Sequence, residues 1–149
     1  TYNITRELSD QVQREAGKVI GATAAAILQD AKDSMVGPKH GRVYKFGKVV
    51  HQASAPGEPP AMDTGALNNS GYVNRLSDLE YEVGFSAEYA PVLEGINSQF
   101  ESGGLLDMAD LLGVWMAPNG RALAPRPFLR PAVEREREAF EKAMRKVVG

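Results

Sequence analysis

The sequence predicts an α+β fold: a small antiparallel sheet packed by long N-terminal and C-terminal helices, with an extended proline-rich arm or loop. Three patterns carry this prediction. Apolar residues recur at helical spacing near both ends of the chain. Two central segments alternate apolar and polar residues, as half-buried strands do. A run rich in proline lies between the first helix and these strands. At 149 residues we expect one domain, covering 1–149.

The first predicted helix runs from about Thr5 to Met35. Its small and apolar residues form one stripe, made of Ile4, Leu8, Val12, Ala16, Val19, Thr23, Ile27, Ala31 and Ser34. Thr5 is the expected N-cap, and Gly37-Pro38 ends the helix. Gly17 and Gly21 lower helix propensity by up to ~1 kcal/mol each. We therefore expect another backbone to approach closely there, with a neighbouring subunit as one candidate.

Residues 39–62 are predicted to form an extended arm or loop. Val43–Phe46 and Lys48–His51 are expected to pair as a weak hairpin about Gly47. The prolines of Ser54–Pro60 fix φ and favour extended backbone in the residues before them. A connection of this length inside a compact domain is usually functional or disordered. We expect the arm to become ordered against a neighbouring subunit.

Two longer strands follow, Gly71–Leu76 and Glu80–Phe85, and we expect them to pair around Ser77-Asp78. Alternate residues of a strand point to opposite faces. The second strand should present Tyr81, Val83 and Phe85 to the core and Glu80 and Glu82 outward.

The remaining segments predict helices and one tight turn. Ala87–Glu94 and Leu105–Leu112 are expected to be short helices, and Val114–Ala117 turns back through Asn119-Gly120. The last helix begins near Pro131, since proline suits the first turn. Its predicted buried residues are Leu129, Val133, Phe140, Met144 and Val147, and its predicted outer face is Glu134, Arg137, Glu138, Glu141 and Arg145.

Composition argues against several classes of protein. A hydrophobic fraction of 43% and a charged fraction of 24% are ordinary for a globular protein. There is no cysteine, which excludes disulfides and thiolate metal sites. His40 and His51 have no recognised ligand spacing, even with Asp63, so we expect no metal and no cofactor. No apolar run approaches the ~20 residues that span a bilayer, so we expect no membrane partner.

Charge is segregated along the chain although the net charge is only −2. The segment 39–52 has basic residues and no acid: Lys39, Arg42, Lys45 and Lys48. The segment 76–120 has acids and no base: Asp78, Glu80, Glu82, Glu88, Glu94, Glu101, Asp107 and Asp110. Basic residues return with Arg121, Arg126 and Arg130. Solvated faces would explain this pattern. An acidic surface of one copy that meets a basic surface of the next would explain it too.

Three phrases contain turn, cap and packing residues without a plausible set of catalytic groups. They are SAPGEPPAMDTGALNNS at 54–70, EYAPVLEG at 88–95 and RPFLRPA at 126–132. In this order they resemble the tail-component family of tailed bacteriophages, the tail-completion or head–tail joining proteins of the phage neck. The matched positions are Ser54, Pro56, Gly57, Pro59, Pro60, Thr64, Gly65, Leu67, Ser70, Tyr89, Ala90, Glu94, Arg126, Pro127, Phe128, Pro131 and Ala132.

The resemblance covers about 54–95 and 121 to the C terminus, with two departures. Gly95-Ile96-Asn97 stands where the family usually has an aromatic residue and a Gly-Thr pair. The segment 98–124 is longer and more apolar than expected, as an apolar loop insertion would be. The resemblance implies the same α+β arrangement in a structural virion protein that is not an enzyme.

The partners implied by the resemblance are those of an assembly. The chain would associate with itself as a ring of six copies around a channel that DNA traverses without sequence-specific binding. Its neighbours would be the head-closure or connector protein and the tail terminator or tail tube protein. It would be found in the neck or tail of the virion, and in the host cytoplasm during assembly. A tail terminator that caps the tail tube is the alternative.

Candidate residues follow from the charge pattern and the phrases. The interface candidates are Lys39, Arg42, Lys45, Lys48, Pro56, Pro59, Pro60, Glu80, Glu82, Glu94, Trp115, Arg121 and Arg126. The candidates for structural roles are Asp63, Thr64, Gly65, Leu67, Ser70, Tyr89, Pro127, Phe128 and Pro131. Asp63 is the expected N-cap of a short helix that ends at Asn69. Trp115 belongs either to the core or to an interface, where Trp is enriched.

Two chemical alternatives have specific residues behind them. Asp63-Thr64-Gly65 matches the triplet of dimeric aspartic proteases, in which two Asp carboxylates share one proton. That triplet should leave a buried strand, whereas here it follows the proline-rich run 58–62. Tyr44 and Phe46 lie among the basic residues, and this combination would suit contact with single-stranded nucleic acid. The chain has no wider excess of positive charge, which argues against nucleic-acid binding.

Overall fold

A computed structural model of the chain describes residues 4–55, 57–62, 65–88, 90, 93 and 126–149. Its elements are α1 (Ile4–Met35), β1 (Val43–Phe46), β2 (Val49–Gln52), α2 (Ala66–Asn69), β3 (Gly71–Ser77), β4 (Glu80–Phe85) and α3 (Leu129–Val148). The predicted α+β class is confirmed. The strands form two separate antiparallel pairs, β1–β2 and β3–β4, instead of one sheet.

The two long helices pack side by side and run antiparallel. Ala31 near the end of α1 and Ala132 near the start of α3 are both fully buried in one cluster. Close by, the Arg135 guanidinium donates to the Asp30 carboxylate at 2.6–3.1 Å. This hydrogen bond is the main reason why the pKa of Asp30 lies below its ordinary value. The ion pair therefore joins elements that are 105 residues apart in sequence.

The β3–β4 hairpin lies across two glycines of α1. A Cβ built on Gly17 would come within 2.5 Å of the Asp78 carbonyl oxygen. A Cβ on Gly21 would come within 2.9 Å of the Tyr81 hydroxyl. The expected close backbone approach is confirmed at Gly17, and the approaching backbone is this chain's own hairpin turn. At Gly21 the neighbour is a side chain.

The β3–β4 pair has the predicted alternation. Tyr81, Val83 and Phe85 are partly buried, whereas Glu80 and Glu82 are exposed. The turn is at residues 78–79, one residue later than predicted. Arg75 pairs with Tyr81 and Ser77 pairs with Glu80, so Leu76 is the extra residue of a bulge.

The stripe predicted for α1 is only partly correct. Leu8 is 57% exposed and Val12 is 39% exposed. The tip of the β3–β4 hairpin meets α1 at Gly17, and residues 5–15 are all exposed. The buried residues of α1 are Ala16, Ala24, Ala31 and Met35. Thr5 as N-cap is wrong, because the helix already includes Ile4.

The predicted burial along α3 needs a similar correction. Among the five residues expected to be buried, none is fully buried, and Val133 is 38% exposed. The helices approach through small residues such as Ala31 and Ala132, which leaves Val133 and Phe140 lining an open groove. The predicted outer face of α3 is exposed throughout and is confirmed.

The main core lies where the end of α1 meets the start of α3. It contains Ala31, Met35, Leu67, Ala90, Leu93, Phe128 and Ala132. Phe128 is only 1% exposed, and its ring packs edge-on against Phe85 with a centroid distance of 4.9 Å. Each of the three phrases supplies at least one of these residues. The phrases therefore meet in space, and their apolar residues build the core.

The short helix α2 is not capped as predicted. It begins at Ala66, and the residue at its N-cap position is Gly65, with φ 80° and no side-chain cap hydrogen bond. Asp63 as the N-cap residue is therefore wrong. Asp63 and Thr64 themselves lie outside the described residues, as do the predictions for 105–120 and the insertion 98–124.

Candidate assembly surfaces

The β1–β2 hairpin is the first candidate surface, and its turn follows from one glycine. Phe46 pairs with Val49, which leaves Gly47-Lys48 as a two-residue loop. Gly47 has φ 62°, and no non-glycine residue among those described has positive φ. Positive φ at the first loop position alone is the signature of a type II′ turn, which suits a hairpin. The predicted hairpin about Gly47 is confirmed, with Val49–Gln52 as its second strand instead of Lys48–His51.

One face of this hairpin carries two valines that are open to solvent. Val43 pairs with Gln52 and Lys45 pairs with Val50, so these four side chains share a face. Val43 is 48% exposed and Val50 is 62% exposed. A two-stranded hairpin alone is marginally stable in water, because it has little to pack against. An exposed face of this kind is suited to contact with a partner.

The same hairpin carries the basic interface candidates. Arg42, Lys45 and Lys48 are all exposed. The Arg42 guanidinium carbon lies 5.3 Å from the centre of the Tyr44 ring, in cation–π geometry. Lys45 and Lys48 form no ion pair with any residue in the described parts of the chain. Their charges are available to another molecule.

The carboxylate of Glu58 holds the base of the arm together. It accepts hydrogen bonds from the backbone amides of Ala55 at 2.8 Å and His40 at 3.0 Å, and its other oxygen is in contact with the His40 ring. These donors, the Ala55 amide first, lower the pKa of Glu58 to about 2. Glu58 therefore closes the chain from His40 to Ala55 into a loop that presents the hairpin.

Two further contacts attach the arm to the helices. Lys39 donates to the Ser34 carbonyl at 2.7 Å, in the last turn of α1, where a cation is favourable. Burial lowers the pKa of Lys39. Arg126 donates to the Ser54 carbonyl at 3.3–3.4 Å, and its own amide donates to the Leu93 carbonyl at 2.7 Å. Lys39 and Arg126 thus have partners within the chain.

The outward face of β3–β4 is the second candidate surface. Glu82 accepts from the Tyr72 hydroxyl at 3.2 Å and from the Asn74 amide at 3.4 Å. The negative charge of Glu82 raises the pKa of Tyr72. Asp78 pairs with Arg75 at 2.5 Å, whereas Glu80 has no ion-pair partner in the described ranges. This face therefore presents acids beside one aromatic ring.

The remaining interface and structural candidates are either packed within the chain or lie outside the described residues. Pro60 and Leu67 are buried, and Pro59, Gly65, Ser70, Pro127 and Pro131 are half-buried. The Ser70 carbonyl accepts the Ser86 amide at 3.0 Å, which joins the start of β3 to the end of β4. Pro56, Asp63, Thr64, Tyr89, Glu94, Trp115 and Arg121 lie outside the described residues.

No three His, Asp or Glu side chains in the described ranges are close enough to hold a metal ion. The groove between α1, β4 and α3 has a volume of about 270 Å³, and its walls include Ile20, Val83 and Phe140. None of the helices whose residues are described is long and apolar enough to cross a bilayer.

Sequence reasoning missed Glu58, Asp30 and Arg135. The Ala55 partner of Glu58 belongs to a local turn, but its His40 partner is 18 residues away and depends on how the arm folds back. The Asp30–Arg135 ion pair could not be predicted, because the sequence does not show which residues of the two helices lie side by side. Comparisons with protein-family models, curated proteins and solved structures found no match for this chain.

Proposed function

We propose that this protein is a structural subunit of the phage neck, where copies form a ring that completes the tail and joins it to the head-side connector. The ring would surround the channel through which DNA passes, without sequence-specific binding. Six copies, contact with the head-closure protein and contact with the tail terminator or tube protein follow from the family resemblance. So does residence in the virion.

The exposed β1–β2 hairpin is the observation that carries this proposal. Val43 and Val50 are turned to solvent, and Lys45 lies between them without an ion-pair partner in the described residues. The hairpin is anchored at both ends, through Lys39 at one and Arg126 at the other. An anchored hairpin with an open apolar face suits a protein whose partners complete its packing.

The roles of the phrase residues also support a structural protein. Leu67, Ala90, Leu93, Phe128 and Ala132 pack together in the core. Ser70 and Glu58 hold turns and loops through hydrogen bonds to the backbone. These are roles in building a subunit. The resemblance to neck proteins includes Leu67, Ser70, Ala90, Phe128 and Ala132, so fold and proposed function share these residues.

The test is electron microscopy of the purified protein, alone and with tailed phage particles from which the corresponding neck protein is absent. We expect closed rings in class averages of the protein alone, and extra density at the neck when the protein is added. Isolated monomers under all conditions, with no density on particles, would contradict the proposal. Density at the far end of a free tail tube would instead favour the tail terminator.

A further inference from the structure

We infer that the β1–β2 hairpin of one copy docks on the outward face of the β3–β4 hairpin of the next copy. The docking face of β1–β2 consists of Val43, Lys45 and Val50. The receiving face consists of Tyr72, Glu80 and Glu82. This inference rests on the proposed self-association and names the surfaces that would carry it.

The two faces are complementary in charge. On the hairpin 42–52, the charged residues are Arg42, Lys45 and Lys48, and all are basic and exposed. On the turn and strand 78–82, the charged residues are Asp78, Glu80 and Glu82, and all are acidic and exposed. Asp78 is balanced by Arg75, so Glu80 and Glu82 are the anions left for a partner. Opposed potentials steer association and fix orientation.

The faces are also compatible in length. Strands of four residues span about 13 Å, which fits along the six residues of β4. The Tyr72 ring lies over Gly84, where a Cβ would come within 2.6 Å of its hydroxyl. The receiving face therefore has a ring at one end of its acidic row, beside Glu82, against which valine side chains can pack.

The turn of the receiving hairpin lies far along α1 from the base of the arm. The arm is attached to α1 at Ser34 through Lys39, and the β3–β4 turn contacts α1 at Gly17. These positions are 17 residues apart, which corresponds to about 25 Å along a helix. Contacts between two different patches of a subunit are head-to-tail contacts, which close into a ring when the rotation permits.

Reciprocal charge reversal tests this contact. The first variant carries Lys45→Glu and Lys48→Glu, and the second carries Glu80→Lys and Glu82→Lys. Association is measured by light scattering and native mass spectrometry for each variant alone, for their mixture, and for the protein with all four changes. Controls with the same charge changes elsewhere are Lys142→Glu with Lys146→Glu, and Glu138→Lys with Glu141→Lys, all exposed on α3.

Each double variant alone should associate at least about tenfold more weakly than wild type, because like charges then face each other. The mixture and the fourfold variant should both recover association, since every contact again joins opposite charges. The α3 controls should associate as wild type does, and melting temperatures should show that all variants fold.

The outcomes separate this inference from the proposed function. If wild type associates but the reversals have no effect, or the mixture and fourfold variant fail to recover, the docking mode is overturned while self-association stands. If wild type remains monomeric, both are overturned. A separate experiment measures binding to single-stranded and duplex DNA by fluorescence anisotropy. Loss of DNA binding in Lys45→Glu with Lys48→Glu, without weaker association, would assign the hairpin to DNA and overturn docking.

Discussion

The β1–β2 and β3–β4 hairpins are both antiparallel pairs closed by a two-residue turn, but only β3–β4 lies against a long helix. Its Tyr81, Val83 and Phe85 alternate toward α1 and are partly buried. In β1–β2, Val49 is 63% exposed and Val50 is 62% exposed. Two hairpins with similar strand patterns therefore differ in whether they pack against the rest of the chain. One hairpin completes the fold, and the other is open to solvent.

The largest expected difference is between the core and the open hairpin. Phe128→Ala should lower the free energy of unfolding by about 3–5 kcal/mol, because it removes the most buried aromatic ring of the core. Val49→Ala, on the open hairpin, should change it by at most about 0.5 kcal/mol in the monomer. Denaturant unfolding at low protein concentration measures both. Comparable losses would mean that β1–β2 is part of the cooperative core.

The second prediction concerns the contact that distinguishes β3–β4. Gly17→Ala should destabilise the protein by about 1–3 kcal/mol, since the added methyl meets the Asp78 carbonyl and the backbone must shift. Gly37→Ala is the matched control, because a Cβ there meets no atom within 4 Å. Thermal unfolding of both variants measures the difference. Equal stability of the two would show that β3–β4 does not need this close approach.

Much of the fold could be predicted, and the failures have physical causes. The strands were predictable because apolar and polar residues alternate along β4, and its apolar residues Tyr81, Val83 and Phe85 share the face that is partly buried. The buried face of α1 was only partly predictable. Ala16 and Ala31 belong to the predicted stripe, but hydrophobic periodicity weighs alanine lightly and did not identify Ala24. Leu8 matched the apolar spacing, yet it is 57% exposed.

The candidate surfaces were predictable to a different extent. The segregation of charge identified Lys45, Lys48, Glu80 and Glu82 from the sequence alone, since charge blocks need no knowledge of contacts. The intrachain partners of Lys39 and Arg126 were not predictable. Both donate to backbone carbonyls, at Ser34 and Ser54, and every residue has such a group. Only the path of the folded chain selects among them.

A smaller effect is expected between the helices. Asp30→Asn should lower the free energy of unfolding by about 0.2–1 kcal/mol, because the pair with Arg135 is partly exposed. Glu15→Gln should have a smaller effect, since its pair with Lys18 lies on an exposed face of a single helix. Denaturant midpoints of the two variants give the comparison. A larger loss for Glu15→Gln would argue against the role of Asp30 in joining α1 to α3.

The smallest effect on global stability is expected at Glu58, although its local effect should be clear. Glu58→Gln keeps the shape of the side chain but removes the charge that the Ala55 and His40 amides stabilise. We expect faster trypsin cleavage after Lys45 and Lys48 in the monomer, with nearly unchanged melting. Glu138→Gln, on the exposed face of α3, is the control. Unchanged cleavage would show that Glu58 does not hold the arm. Assembly of wild type should protect both lysines.

Acid should loosen the arm in the same way. The folded-state pKa of Glu58 is about 2, below its ordinary value of 4.5. A lowered carboxyl pKa stabilises the arm above pH 4.5, and this contribution is lost as the pH falls from 4.5 toward 2. Hydrogen exchange at the Ala55 amide, corrected for intrinsic rates, should therefore show less protection at low pH in wild type only. The same decline in Glu58→Gln would assign it to another group.

Native mass spectrometry of the purified protein at low and high ionic strength tests self-association through the hairpins most directly. At low salt we expect a closed oligomer whose mass is a multiple of the 16.1 kDa subunit. That species should dissociate as the Debye length falls from ~10 Å at 0.1 M to ~3 Å at 1 M, and it should be absent in Lys45→Glu with Lys48→Glu. A 16.1 kDa monomer at every protein and salt concentration would contradict self-association through the hairpins.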